Sequence, residues 1–286
     1  MNSKTKQLDL MTVKNLVDLF LKEEQETINV LKKQKNNITK AINKINKRLH
    51  TSSKSRIFYI GAGTSGRFGV LDASETRPTF STNIFHAIIA GGKNAIFHAQ
   101  EGAEDNKKQA IKDLKKFNLT KDDIVICISA SGETPYTVSA LKFAKKAKAL
   151  TVGITSNPKS TLSQLVYISI SPEIKEEIIS GSSRLKSGTA QKIILNMISS
   201  ISMIKQGKVY DNLMIDVQPT NKKLIKRAIG IISMVCKVPL NKAKSLFTKA
   251  KKNTKAAIVI HFKKCNLNKA IELLRKKNFN LRKVIG

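Results

Sequence analysis

Apolar residues recur every three or four positions from residue 12 to about residue 47, with lysine, glutamate and asparagine between them. This spacing puts the apolar side chains on one face of an α-helix, so it predicts an amphipathic helix. The composition turns polar over residues 50–55, which marks a boundary. We therefore assign residues 1–46 to an N-terminal helical segment.

Beyond residue 56 the pattern changes to short apolar runs that alternate with amphipathic stretches. The runs predict five strands, at residues 57–60, 84–89, 123–128, 151–154 and 166–170. Helices are predicted after residues 61–66, over about 105–116 and over 135–148. Such alternation is typical of a parallel sheet with helices on both faces. The prediction is a doubly wound α/β domain over residues 47–207.

The rest of the chain is predicted to be helical. A long apolar helix fits residues 185–204, and shorter helices fit 222–236, 240–248, 256–262 and 267–277. Only residues 258–260 have strand character in this part. We expect residues 208–286 to form a small C-terminal helical subdomain.

Neither a membrane span nor a signal peptide is predicted. No run approaches the roughly 18 to 20 apolar residues that a spanning helix requires, and the first residues lack the apolar core of a signal peptide. Cys127, Cys236 and Cys265 are widely spaced and odd in number, which favours a reducing compartment over a disulfide framework. We expect a soluble, cytoplasmic protein with no membrane partner.

The charge of the chain suggests a polyanion partner at first. Its 286 residues include 52 Lys and Arg against 20 Asp and Glu, a formal net charge of +32. Only eight of the basic residues are arginine, the side chain favoured for bidentate phosphate recognition, and the lysines are spread along the chain. A compositional bias toward lysine on solvated faces explains this better, so we expect no nucleic-acid partner. Nucleic-acid binding stays an alternative, which predicts affinity that falls steeply with salt.

The first predicted strand runs into a glycine-rich stretch, residues 61–66, that matches G-x-G-x-x-G. A dinucleotide site would also have a carboxylate about twenty residues later, at the end of the second strand. That strand ends in Ile-Ile-Ala-Gly-Gly at residues 88–92, without a carboxylate. The match therefore does not support a dinucleotide site.

Two loops share small hydroxyl residues among glycines, each between a strand and a helix. Helix N-termini and hydroxyls suit one compact phosphate, so a sugar monophosphate fits better than a dinucleotide. The alternative is that these serines and threonines only cap helices. The candidate binding residues are Gly63, Thr64 and Ser65 in the first loop and Ser129, Ser131 and Thr134 in the second.

Several longer motifs carry a resemblance to a known family. They are GAGTSGRFGVLDASETRPTF from residue 61, EGAEDN from 101, SASGETPY from 129, SNP from 156, and GSSRLKSGTAQKIILNMIS from 181 followed by GKVYDNLMIDV. Together they resemble the N-acetylmuramic acid 6-phosphate etherases, which are built on the sugar isomerase (SIS) domain. SASG is a superfamily feature, whereas LDASE, EGAEDN and RLKSGTAQK are etherase features.

The resemblance implies cleavage of the D-lactyl ether of N-acetylmuramic acid 6-phosphate to N-acetylglucosamine 6-phosphate and D-lactate. The C2 proton of the ring-opened sugar lies next to an aldehyde, so a base can remove it before lactate leaves from C3 and water adds. This chemistry needs acid/base groups and no metal or other cofactor. A carboxylate suits it if burial raises its pKa. The resemblance also implies a homodimer, because the family completes its sites at the dimer interface.

Position by position, the resemblance assigns acid/base roles to two carboxylates. Glu75 of LDASE would transfer a proton at the leaving oxygen, and Glu104 of EGAEDN would be the second acid/base. From the residues alone, Glu75 could equally be a solvated helix charge and Glu104 a helix-starting acid.

A third group, Arg184, Lys186 and Ser187, precedes the long helix and is predicted to bind the substrate phosphate or carboxylate. The alternative is that its cations only hold Glu177 in a structural ion pair. His86 and His98 lie near the loops in sequence, but their spacing supports no metal site.

The chain departs from the etherase pattern at three places. It lacks the family's opening T-E-x-x-N-P segment, it carries Thr76-Arg77-Pro78 where Cys-Pro-Pro is usual, and Glu133 stands where Arg is usual. Arg77 near Glu75 would lower the pKa of that carboxyl, although residues two apart do not face each other on a helix. Two alternatives to the etherase remain within the same superfamily: a non-catalytic sugar-phosphate sensor, like glucokinase regulatory protein, and a ketose-aldose isomerase.

Overall fold

The structure is a computed structural model that describes residues 7–286. It contains two compact units. The first comprises the chain up to Ser74 together with Ile84–Ser199, and the second comprises Glu75–Asn83 and Ser200–Gly286. We retain the predicted domain limits 1–46, 47–207 and 208–286 as a proposal, because compactness alone does not define domains.

The first unit begins with two helices, α1 (Val13–Lys33) and α2 (Lys35–Thr51), where the sequence predicts one. Thr12 caps α1 by accepting a hydrogen bond from the Asn15 amide. The break falls at Gln34, whose side-chain oxygen accepts hydrogen bonds from the amide of Ser171 and the side chain of Asn37. The apolar periodicity continues through this break, so the pattern alone does not reveal it.

The sheet of the first unit has five parallel strands in the order β2-β1-β3-β4-β5. They are β1 (Ile57–Gly61), β2 (Phe85–Ile89), β3 (Ile124–Ile128), β4 (Leu150–Ile154) and β5 (Ile168–Ile170). Every residue of β1, β3 and β4 is buried, as expected for strands covered on both faces. The strand order reverses between β1 and β3, which confirms the predicted doubly wound α/β fold.

Six helices follow the strands of this sheet in the chain. They are α3 (Gly63–Phe80), α4 (Asn94–Phe97), α5 (Lys107–Lys115), α6 (Pro135–Lys146), α7 (Thr161–Leu165) and α8 (Lys186–Lys205). Side chains of α5 and α6 pack with β1 and β3 in one buried cluster that includes Phe58, Val125, Leu114 and Leu141. This packing holds the strand ends, and the loops that follow them, in fixed positions.

The second unit is helical, as predicted. Its helices are α9 (Lys222–Cys236), α10 (Leu240–Lys249), α11 (Thr254–Lys263), α12 (Leu267–Lys276) and α13 (Arg282–Ile285). They enclose a separate apolar core, which includes Ile232, Phe247, Ile258 and Leu274. Residues 258–260 are helical despite their strand character, because they are buried in that core. Within residues 7–286, no helix is long and apolar enough to cross a bilayer.

Candidate active site

A cavity of about 1170 Å³ lies in the first unit at the carboxyl ends of three neighbouring strands. Its walls include residues 62–65 after β1, residues 130–131 and 133–135 after β3, and residues 156–157 after β4. The segment from Ile174 to Ser187 supplies further lining residues. Ligands of open α/β sheets bind at this edge, where the strand order reverses. The cavity is therefore the candidate active site.

The first loop brings the start of α3 close to the sheet. A Cβ atom at Gly61 would lie 2.9 Å from both the Gly66 nitrogen and the Ile128 carbonyl oxygen, closer than real contacts allow. Glycine thus permits the tight strand-to-helix turn. Gly63, Thr64 and Ser65, at the first turn of α3, all line the cavity.

The second loop is shaped by Ser129, which is buried and does not line the cavity. Its hydroxyl accepts a hydrogen bond from the Gly132 amide at 3.0 Å and lies 2.9 Å from the Thr134 hydroxyl. Ser131 and Thr134 do line the cavity. Thr134 precedes α6 but makes no capping hydrogen bond with its side chain, so helix capping does not account for it.

Glu133 also lines the cavity, but its carboxylate is held by α7. The two oxygens accept hydrogen bonds from the Thr161 amide at 2.7 Å and the Thr161 hydroxyl at 2.6 Å. These hydrogen bonds lower the pKa of Glu133. The side chain therefore stays anionic, and it joins the loop after β3 to the first residue of α7.

The two candidate acid/base carboxylates fall in different units. Glu104 sits in the 3₁₀ turn Ala103–Asp105 and lines the cavity of the first unit. Glu75 lies on α3 in the second unit and is not among the residues that line this cavity. Both carboxylates are exposed on the single chain, so the chain alone does not supply the burial that the acid/base chemistry calls for.

The third predicted group is only partly gathered at the cavity. Ser187 lines it, whereas Arg184 and Lys186 do not. Arg184 is exposed. The Lys186 ammonium lies 2.6 Å from a carboxylate oxygen of Glu23 on α1, and both side chains are nearly buried. The ion pair with Glu177 that the sequence leaves open is absent from the described residues, because Glu177 bonds backbone amides instead.

Three features, two at the cavity and one elsewhere in the first unit, escape prediction from the sequence. Ser156 lines the cavity, and its buried hydroxyl has no hydrogen-bond partner among the described residues. Residues 174–181 and Ser183 line one side of the cavity, and the sequence analysis assigns none of them to substrate binding. Asp72 of the LDASE motif is buried and accepts hydrogen bonds from Tyr59, Asn196 and Ser199. Ser156 belongs to the SNP motif and Asp72 to the LDASE motif, so these motifs are the sequence signal for both residues.

No metal centre is evident in the part of the chain that the structure describes: no group of three or more His, Cys, Asp or Glu side chains is arranged to hold an ion. His86 stacks on Phe58 at 5.0 Å between ring centroids and takes part in packing within the first unit.

Comparison with known proteins places these motifs in a family. The model of the glucokinase regulatory protein N-terminal SIS domain matches residues 37–145. The N-acetylmuramic acid 6-phosphate etherase of Clostridium beijerinckii is 44% identical over 281 residues, which cover 97% of this chain and 92% of that protein. The etherase of Francisella tularensis subsp. holarctica is 46% identical over 97% of this chain and 94% of its own. That of Staphylococcus saprophyticus is 50% identical over 80% and 79%.

This chain belongs to the N-acetylmuramic acid 6-phosphate etherase family. Solved structures agree with its fold. A phosphosugar isomerase assigned to capsule formation in Bacteroides fragilis has a TM-score of 0.53 at 19% identity, over 70% of this chain and 94% of that chain. A phosphoheptose isomerase of Francisella tularensis has a TM-score of 0.52 at 15% identity, over 68% and 100%.

Two of the departures from the etherase pattern, Arg77 and Glu133, lie in the described part of the chain. Arg77 lies on α3 two residues after Glu75, a spacing at which side chains do not face each other on a helix. Glu133 stands where etherases usually carry Arg, and both of its carboxylate oxygens accept hydrogen bonds from Thr161. The third departure, at the start of the sequence, adjoins residues 1–6, which lie outside the described part.

Proposed function

We propose that this etherase-family protein cleaves the D-lactyl ether of N-acetylmuramic acid 6-phosphate, in the recycling of cell-wall amino sugars. The observation that carries the proposal is the meeting of two hydroxyl-rich loops and Glu104 in one cavity at the switch point of an SIS sheet. Full-length relatives that are named as etherases support it. The same relatives do not favour the alternative of a non-catalytic sensor.

The cavity is suited to hold a sugar phosphate. Thr64 and Ser65 present hydroxyls and amides at the N-terminus of α3, and Ser131 and Thr134 present hydroxyls beside α6. The helix N-termini favour an anion, and the hydroxyls donate to its oxygens. Ser187, which lines the same cavity, is the further binding residue that we propose. Two solved proteins of this fold are named as isomerases of phosphorylated sugars, which fits such a ligand.

The reaction then proceeds by elimination and hydration. A base removes the C2 proton of the ring-opened sugar, and the electron pair is held as an enolate with the C1 aldehyde. The C2–C3 double bond then forms as the C3–O bond breaks, and the leaving lactate oxygen receives a proton. Water adds across the double bond to give N-acetylglucosamine 6-phosphate. We propose that Glu75 transfers the proton at the leaving oxygen and that Glu104 is the second acid/base. No step requires a metal.

We further propose that the protein is a cytoplasmic homodimer. On α1 the apolar residues Val13, Val17 and Leu21 follow one another at one-turn spacing and are 78%, 52% and 67% exposed. Covering such a stripe with a second copy would remove apolar area from water. Val13→Asp with Val17→Asp is expected to give monomers in analytical ultracentrifugation, whereas a wild-type monomer would contradict the proposal.

Release of D-lactate from N-acetylmuramic acid 6-phosphate is the direct test of the function. In deuterated water the amino-sugar product should carry deuterium at C2. Glu75→Gln and Glu104→Gln should each lower the rate by about 10²- to 10⁴-fold, the usual contribution of acid/base catalysis. Glu101→Gln, a change of an exposed glutamate that does not line the cavity, is the matched control. Ligand-induced thermal stabilisation without lactate release would instead indicate a sensor.

A further inference from the structure

Asp216 lies at the centre of an ion cluster in the second unit. Its Oδ2 atom lies 2.7 Å from Lys255 Nζ and 3.1 Å from Lys208 Nζ. The Lys255 side chain is only 3% exposed, which is unusual for lysine. Burial lowers the pKa of Lys255, and the carboxylate of Asp216 opposes that shift. The Asp216 carboxylate is thus the counter-ion of a buried lysine.

This cluster is placed where it contributes little to stability. Lys255 is the second residue of α11, and the positive end of a helix repels a cation. Buried ion pairs are also weak stabilisers, because desolvation offsets the attraction, and their best-documented use is to specify one arrangement. An apolar side chain of similar volume would avoid both costs. We therefore ask which backbone position the ion cluster fixes, rather than how much stability it adds.

The backbone of Asp216 holds the end of α3. Its carbonyl oxygen accepts a hydrogen bond from the hydroxyl of Ser81, the residue that follows the last residue of that helix. Ser81 has a left-handed backbone with φ 50°, a conformation more usual for glycine or asparagine at this position, and its amide donates to the Arg77 carbonyl. On either side of Asp216, Ile215 and Val217 are buried, so the acceptor cannot move freely.

Glu75 lies on the same helix, six residues before Ser81. Pro78 removes one backbone donor from the intervening turn, which weakens the helix's own hydrogen bonding there. The contact with Asp216 replaces part of that restraint. Ser81 thus ties the end of α3, six residues after Glu75, to the 208–217 segment, and this segment orients the part of the helix that carries Glu75.

We propose that Ser81, Asp216 and Lys255 are positioning residues for Glu75. The C-terminal helices thereby set the direction in which Glu75 transfers its proton, although none of the three residues needs to contact the substrate. The inference rests on the proposed function and assigns a role to the helical unit, whose part in the reaction the sequence leaves open. It predicts a defect in elimination rather than in binding, because the residues that bind phosphate lie in the other unit.

The test compares Ser81→Ala with Ser74→Ala in the purified full-length protein. Both hydroxyls donate to a backbone carbonyl, but Ser74 lies on α3 and donates to Leu71 within that helix. Ser81→Ala should lower kcat by about 10- to 100-fold, the range expected when a catalytic group is misplaced, and leave KM within about two-fold. Ser74→Ala should leave both unchanged.

A second pair of variants tests the ion cluster. Lys255→Met should lower kcat like Ser81→Ala, whereas Lys269→Met, which changes an exposed lysine of α12 paired with Glu272, should not. If Ser81 and Lys255 act through the same contact, the double variant should lose no more than the larger single loss. Ser81→Ala alone keeps the test valid if Lys255→Met does not fold.

Isotope exchange separates positioning from loss of structure. With Glu75 misplaced, the C2 proton should still exchange with deuterated water while lactate release slows, so the ratio of exchange to release should rise. Equal slowing of both, or a kcat unchanged in Ser81→Ala, would overturn the inference while leaving the function intact. Absence of lactate release by the wild-type protein would instead contradict the proposed function, and the inference with it.

Discussion

The carboxylate of Glu177 lies against the first turn of α8, with Oε1 2.9 Å from the Ser187 nitrogen. Its other oxygen accepts from the Lys186 amide at 2.8 Å. One carboxylate thus satisfies two of the amides that a helix N-terminus leaves without partners, and its charge is favourable there. Glu177 belongs to the wall formed by Ile174 to Ser183, so this contact joins that wall to α8.

Replacing Glu177 with alanine should therefore destabilise the protein by about 1 to 2 kcal/mol, the loss typical of a helix cap with its charge. Glu177→Gln should lose part of this, because the amide presents only one acceptor oxygen. Urea denaturation monitored by circular dichroism measures both. Glu173→Ala, on an exposed glutamate of the same segment, is the control and should change stability little; equal losses in the two alanine variants would contradict the capping role.

Gly132→Ala should disrupt the second hydroxyl loop. Gly132 has φ +71°, and an added Cβ would lie 2.1 Å from the Ser160 hydroxyl and 2.7 Å from the Thr155 hydroxyl. The loop must shift, which displaces Ser131 and Thr134, so KM for the sugar phosphate should rise by about tenfold or more for a loss of roughly 1.4 kcal/mol in binding.

Gly92→Ala is the matched control for that variant. Gly92 has a similar φ of +69°, but nothing lies within 4 Å of an added Cβ. It carries the backbone strain, about 1 kcal/mol, without the collision. A KM that rises equally in both variants would show that strain alone, rather than the lost space, explains the effect.

The sheet and the helices could be predicted from the sequence because their signals are local. The apolar spacing of residues 222–236 marks α9 with its observed limits, and the buried runs mark the strands. Contacts between distant residues have no such signal. Glu23 and Lys186 are 163 residues apart, and nothing in either neighbourhood specifies the other. The helix break at Gln34 has no local signal either, and Gln34 bonds the distant Ser171.

In the candidate site, too, the parts with local signals could be predicted and the contacts between distant residues could not. The loops that hold Thr64 and Ser131 follow strands directly, so the topology brings them together at one edge of the sheet. The LDASE motif singles out Glu75. Asp72 in the same motif is a buried hydrogen-bond acceptor, and two of its donors, Asn196 and Ser199, lie on α8, far away in the sequence. Glu75 and Glu104 are both exposed on this chain, and the residues next to them in the sequence do not indicate that exposure.

Asp72→Ala should be severely destabilising. The variant would leave the Tyr59 hydroxyl and the Asn196 side chain without this acceptor, at a cost of about 1 to 3 kcal/mol for each buried group, and would leave Ser199 only its longer hydrogen bond to the Asn196 carbonyl. Asp72→Asn keeps one acceptor oxygen, and the Tyr59 hydroxyl can accept from its amide, so we expect a loss of about 1 kcal/mol or less. Denaturation with urea at pH 7 compares them.

The same aspartate makes a pH-dependent contribution with a defined sign. Burial raises the pKa of Asp72, so the folded protein binds this proton more readily than the unfolded chain. The resulting stabilisation is complete below the unfolded pKa, about pH 4, and is lost as pH rises through the folded pKa. Relative to wild type, Asp72→Asn should therefore be less stable at pH 4 than at pH 7. A difference that does not change with pH would contradict the raised pKa.

Lys186→Met should destabilise the protein by about 3 to 5 kcal/mol, because it leaves the buried carboxylate of Glu23 without its cation. Glu23→Leu combined with Lys186→Met removes both charges and should recover most of that loss. Lys205→Met, at the exposed end of the same helix, should change stability little.

The double variant also tests whether Lys186 binds the substrate. Because the Lys186 ammonium is paired with Glu23, we expect KM to stay within about two-fold, a change in binding of roughly 0.4 kcal/mol. A KM raised tenfold in a stable double variant would instead assign this ammonium to the substrate phosphate.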